Sequence, residues 1–293
     1  MNDGVGGRTP GSGLDRLASD RLTSDRRTFI RRAGIAGAVA WTAPVLLESM
    51  MSPAAAASVG AFSTGEVLTS TSIAAATQLP ATAAFTSAVS SSQIVVVLVA
   101  AAWPNDSSTA RALTLTGPFA SATLIATSAA TNAPWIIQGS GTTGTNTKFS
   151  QHLYAYYGVG NGTTTAVRAT FAGAPGRAAL IAFPVSGTTT AAPIGVKSTA
   201  SDTASPYLTP TFNISGATAG RSMVAFGGLT DTAGSVAWTP PSGFTKLADL
   251  GANSASLPNG NLDISASFGP SQASTSAGVG VGVPWSSIAF EIK

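Results

Sequence analysis

From residue 58 onward the chain is a series of short apolar stretches separated by clusters of Gly, Pro, Asn and Ser. Ile94–Ala102, Ala122–Thr127, Leu153–Val159, Thr165–Phe171 and Ala178–Val185 each have strand length and turn-forming borders. Thr165–Phe171 alternates small or apolar residues with polar ones, the period of a half-exposed strand. No stretch here sustains a 3.6-residue apolar period with helix caps. The pattern predicts an all-β protein. Gly278–Val283 is a run of alternating Gly and Val; at an edge it would invite pairing with a second molecule, and it is expected instead as an inner strand whose glycine face allows close packing.

The pattern also repeats. With an offset of 125 residues, Leu98-Val99-Ala100 falls on Met223-Val224-Ala225, and Asp106, Thr114 and Phe119 fall on Asp231, Thr239 and Phe244. Near the ends of the copies the offset is 107, where Ile181–Val185 matches Ile288–Ile292. Between them, Leu153–Gly158 answers Leu262–Gly269. The expected organisation is two tandem homologous β-sandwich domains, 58–192 and 193–293. The falling offset makes the first copy longer, with a Gly/Thr-rich insertion at about 128–148. Such a segment is expected as an exposed loop or extra hairpin, where function tends to sit.

Before residue 58 the character differs. An apolar run from Ala33 to Leu47 follows a basic cluster and precedes Ala54–Ser58. The run is short for a membrane span, which needs roughly 20 residues. Seven of the 15 basic and five of the 12 acidic residues lie in this leader, so the remainder carries a net charge of only +1. Nucleic-acid binding is therefore not expected, and no later apolar run suggests a stable membrane anchor. There is no Cys, so the fold relies on core packing without disulfides. Charged residues make up 9% of the chain, against about 25% in ordinary soluble domains. A Thr/Ser-covered β-protein fits that composition.

The leader reads Ser24-Asp25-Arg26-Arg27-Thr28-Phe29-Ile30-Arg31 and resembles a twin-arginine export signal. Arg26, Arg27 and Phe29 carry the resemblance, with Asp25 and Arg31 departing from the commoner residues. Ala55 and Ala57 form an A-x-A cleavage signal before Ser58. The resemblance implies residues 1–57 as a removable signal with a disordered n-region. It also implies the twin-arginine export machinery and signal peptidase as partners, and a secreted, extracellular or cell-surface location. Ala179–Gly187 and Ser286–Lys293 resemble strand-and-turn segments of duplicated jelly-roll or lectin-like β-sandwiches, found in secreted actinobacterial proteins and fibre-type surface proteins.

Candidate chemistry is sparse. With one His and no Cys, a protein-built zinc or copper site is not expected. No cofactor, metal or catalytic residue is assigned. Asp106, after the strand Ile94–Ala102, reads either as a calcium or ligand loop or as an Asx-turn. His152, Tyr154 and Tyr156 share one strand face, suited either to a sugar ring or to a core. Trp103 and Trp135 read either as stacking platforms or as hydrophobic plugs, while Trp238 and Trp285 read as packing positions. Glu66 with Asp106, or Asp249 with Asp263, are carboxylates that only the fold can pair. Three readings follow: a non-catalytic secreted or cell-surface protein, binding envelope or carbohydrate or serving structurally; a jelly-roll carbohydrate-active enzyme; or a self-assembling fibre or appendage subunit.

Overall fold

A computed structural model describes residues 63–72, 77–80, 83–104, 111–135, 147–203, 209–218, 220–230, 238–252, 261–271, 274–276, 278–279 and 283–293. Signal residues Arg26, Arg27 and Phe29, cleavage residues Ala55, Ala57 and Ser58, and Asp106 lie outside them. The described elements are all strands. The first half supplies β1 (Ser63–Thr64), β2 (Leu68–Ser72), β3 (Gln78–Pro80), β4 (Ile94–Pro104), β5 (Leu113–Thr116), β6 (Thr123–Trp135), β7 (Thr147–Val159), β8 (Arg168–Phe171) and β9 (Arg177–Ser186). The second supplies β10 (Ile194–Asp202), β11 (Thr211–Asn213), β12 (Arg221–Thr230), β13 (Trp238–Thr239), β14 (Thr245–Ala252), β15 (Asn261–Pro270), β16 (Ser274–Ser276), β17 (Gly278–Val279) and β18 (Trp285–Ile292).

Four layers result. One large antiparallel sheet runs β1-β9-β4-β7-β6, with β2 also on β9; the other runs β10-β18-β12-β15-β14. The two large sheets face each other across a core that holds Val96, Leu98, Leu153 and Phe183 from one, and Met223, Ile264, Ile288 and Phe290 from the other. The small sheet β3-β8-β5 covers the far side of the first large sheet through Leu79, Leu115, Ala169 and Phe171. The pairs β11-β16 and β13-β17 cover the second, with Phe212 and Trp238 packed on Val224 and Phe226. Val59–Lys293 thus forms one compact unit.

This layering explains why β4 shows no alternation. Both of its faces are covered, and Ile94 through Trp103 are at most 1% exposed. Even-numbered residues enter the inter-sheet core and odd-numbered ones the core beneath the small sheet. A strand buried on both sides reads as a continuous apolar run. The edge strand β10 alternates instead, with Lys197, Thr199 and Ser201 exposed.

The two halves have the same strand order. Replacing β2, β9, β4, β7 and β6 by β10, β18, β12, β15 and β14 reproduces the second large sheet. The ladders share irregularities too: β6 is bulged between Leu124 and Ala126, and β14 between Lys246 and Ala248. Gly158 and Gly269 both carry a phenylalanine ring. A Cβ on Gly158 would stand 2.5 Å from Phe119 Cγ, and one on Gly269 2.6 Å from Phe244 Cγ. Cross-sheet neighbours are also exchanged consistently: β6 packs on β10 and β18, and β14 on β2 and β9. That is the signature of an approximate two-fold axis.

The ladders refine the self-alignment. Ile181 matches Ile288 and Phe119 matches Phe244, as the sequence suggests. Ile181 pairs with Leu98, however, and Ile288 pairs with Ala225. Leu98 therefore answers Ala225 rather than Met223. A two-residue shift keeps every side chain on its face, so apolar patterning alone does not detect it. Gly278-Val279 also departs from expectation. Among the described residues it pairs with β13 in the outer layer, not within a large sheet.

Candidate functional site

The residues singled out from sequence do not form one exposed surface. Trp103, at the end of β4, is 1% exposed and donates its indole N–H to the Gly173 carbonyl at 3.2 Å. Its ring meets His152 edge-on at 5.4 Å and Phe171 at 5.9 Å. The Arg111 guanidinium lies over it at 5.5 Å. His152, fully buried on β7, stacks on Tyr154 with centroids 6.2 Å apart. The two-residue period of β7 places His152, Tyr154 and Tyr156 on one face, and the small sheet then covers that face.

The hydroxyls in this cluster are committed to backbone. Tyr154 donates to the Arg111 carbonyl at 3.1 Å and Tyr156 to the Leu113 carbonyl at 3.4 Å. Burial raises the pKa of both phenols above its ordinary value, keeping them neutral donors. The cluster seals the space between β7 and the β5–β8 layer. Trp103, His152 and Tyr154 expose no face on which a sugar ring can stack. Tyr156 is half-buried.

Trp135 has a different place. It pairs with Thr147 at the last rung of the β6–β7 ladder, beyond the bulge between Ala130 and Ala133. The equivalent strands of the other half, β14 and β15, stop at Ala252 and Asn261. Among the described residues, the β6–β7 hairpin arm thus extends further than the β14–β15 one.

The carboxylates are dispersed among structural tasks. Glu66 Oε2 accepts the Thr86 N–H at 2.7 Å and the Thr86 hydroxyl at 2.8 Å, and these bonds, the backbone one foremost, hold its pKa below the usual glutamate value. Asp249 pairs with Lys246 at 2.7 Å and accepts from Ser265 Oγ. Asp263 is fully buried on the same sheet face, two residues along the ladder from the Asp249–Ser265 rung. Glu291 is 1% exposed and accepts the backbone N–H groups of Val196 and Thr218, tying β18 to β10 and to the turn before β12. Among the described residues no group of three or more His, Cys, Asp or Glu is placed to hold a metal ion. Among them, too, no helix is long and apolar enough to cross a membrane.

One open groove lies elsewhere. Ala120, Ser121, Thr123, Tyr157, Gly158, Val159 and Thr190 line a depression of about 140 Å³. Thr123 faces Tyr157 across the β6–β7 ladder. Thr190 comes from the segment joining the halves. Ser121, Thr123, Tyr157 and Thr190 carry no motif in the sequence that would mark them as a site. The groove exists only where three separate segments meet.

No family model matches the chain, and neither a curated protein nor a solved structure is significantly similar to it.

Proposed function

We propose that this is an exported, non-catalytic β-sandwich protein of the cell surface or extracellular space, whose role is to bind envelope or carbohydrate polymer. In this reading Arg26, Arg27 and Phe29 direct twin-arginine export, and cleavage after Ala57 leaves Ser58 as the first residue. The body is then two copies of one jelly-roll-like module. The shared strand order, the matching bulges and the Gly158–Phe119 and Gly269–Phe244 pairs support the duplication.

The observation carrying the non-catalytic reading is the fate of the titratable groups. Acid–base and nucleophilic catalysis need such groups at an accessible site. The single imidazole of the chain, His152, is inside, and its neighbouring phenols bond to backbone carbonyls. Glu291 is buried, and Glu66 and Asp249, though open to solvent, are held by hydrogen bonds to Thr86 and to Lys246 and Ser265. That weighs against the carbohydrate-active enzyme.

Fibre assembly by strand addition is also disfavoured. Edge strand β6 is broken by two register shifts, and its Ile125 carbonyl accepts from Lys197 of β10. The edge of β10 gives its Val196 N–H to Glu291 and its Ala200 carbonyl to Ser128. Bulges and inward-turned charges are devices that block edge pairing.

The test is co-sedimentation of the exported protein with cell envelope and with insoluble polysaccharides, beside Trp135→Ala. Intact mass is measured on the same sample. Retention by a polymer and a mass starting at Ser58 are expected. A retained leader overturns the export reading. Absence of retention, with oligomers that grow with concentration on sizing chromatography, overturns the binding reading in favour of assembly.

A further inference from the structure

The internal duplication separates what the fold requires from what one half has added. At the groove beside β6 and β7, the second half supplies a counterpart for nearly every packing element. Thr123↔Tyr157 on β6–β7 answers Thr245↔Phe268 on β14–β15. Gly158 beneath Phe119 answers Gly269 beneath Phe244. Both Tyr157 and Phe268 pack partly against the inter-sheet core. The ring at this position is thus a packing element, and its phenol oxygen is not: Phe268 does the same work without one.

Thr190 is the second polar contributor. It lies between β9 and β10, in a segment that links the halves. The linker is held in place, since the Thr189 N–H donates to the Lys293 carbonyl at 3.0 Å and the Thr189 hydroxyl to the Ala192 carbonyl at 3.2 Å. One groove therefore gathers a phenol hydroxyl that packing does not require and the hydroxyl-bearing Ser121, Thr123 and Thr190.

We propose that this groove is a recognition site for a single uncharged sugar ring of a polysaccharide, with Tyr157 as its floor and Ser121, Thr123 and Thr190 as its hydrogen-bonding rim. The proposal rests on the polymer-binding reading above and gives it a location. The chemistry selects the class. No Asp, Glu, Lys, Arg or His lines the groove, so ionic ligands gain nothing here. An aromatic face beside hydroxyls matches the apolar face and polar edge of a pyranose. At about 140 Å³ the groove is small, whereas drug-sized ligands occupy roughly 300–1,000 Å³. It therefore takes one ring and not an extended oligomer.

The experiment measures retention of the full exported chain on microcrystalline cellulose, chitin, insoluble α-glucan and purified cell wall, as wild type, Tyr157→Phe, Thr190→Ala, the double variant and Trp135→Ala. Tyr157→Phe installs the residue that the other half uses, so packing is kept; equal melting temperatures verify this. Each single variant is expected to weaken retention roughly two- to tenfold, the effect of one hydrogen bond, and the double variant further. If wild type is retained and the Tyr157 and Thr190 variants are retained equally well, the groove assignment is overturned while polymer binding stands. Loss confined to Trp135→Ala overturns it in favour of the hairpin arm. No retention of wild type by any polymer overturns the polymer-binding reading and the groove with it.

Discussion

Gln151 is the side chain whose replacement most directly tests the two-fold relation between the halves. It sits on β7, is fully buried, and faces the inter-sheet core with neither its Oε1 nor its Nε2 hydrogen-bonded. Its amide lies on Gly227 of β12, where a Cβ would overlap Nε2. The corresponding positions in the exchanged halves are Leu262 and Ala100, both fully buried in the same core. Ser286, across the ladder from Gly227, adds another buried hydroxyl without a hydrogen bond. A buried polar group left unsatisfied costs about 1–3 kcal/mol. Gln151→Leu is therefore expected to raise stability by that amount. For a unit of this size the melting temperature should rise by roughly 2–12 °C. Gly227→Ala alone should destabilise, because the new methyl meets the amide. Combined with Gln151→Leu it should be tolerated, since the pair then matches Leu262 and Ala100. A double-mutant cycle by calorimetry or urea denaturation reads the coupling, expected at about 0.5–3 kcal/mol. A lower melting temperature for Gln151→Leu, or additive effects of the two changes, would refute the reasoning.

Two further outcomes follow from the packing. Gly158→Ala and Gly269→Ala should each cost roughly 1–3 kcal/mol, because a Cβ drives into Phe119 or Phe244 and overpacking has that scale; denaturant midpoints unchanged from wild type would count against the paired-glycine argument. Tyr154, whose phenol is raised by burial above its ordinary value of 10.0, stays protonated in the folded chain after the unfolded chain has released its proton. Stability should then fall as pH rises through about 10 and beyond, and Tyr154→Phe should flatten that fall in denaturation series run from about pH 9 to 11; an identical slope in both proteins would remove Tyr154 as its source.

The halves were legible in the sequence to a definite depth. Ile181–Val185 against Ile288–Ile292, and Phe119 against Phe244, are matched by position because the paired glycines and the double-sided burial constrain those residues. The register of β4 against β12 was not legible. Both strands are apolar on two faces, and a slip of two residues leaves each face apolar. Nor did His152, Tyr154 and Trp103 announce their burial. A polar-aromatic face reads alike whether a small sheet or a ligand covers it, and the covering strands β5 and β8 arrive from distant sequence.

By itself, then, the sequence determined the strand-rich class, the repeating apolar pattern and the contrast between basic, apolar residues 1–57 and a nearly neutral remainder, since each of these depends on local period or composition. Only the tertiary structure decided that the two large sheets share one core, that the aromatic cluster is interior, and that Tyr157, Thr123 and Thr190 meet at an open groove. Those outcomes depend on which faces pack together, and that is settled by burying apolar area between segments far apart in the chain.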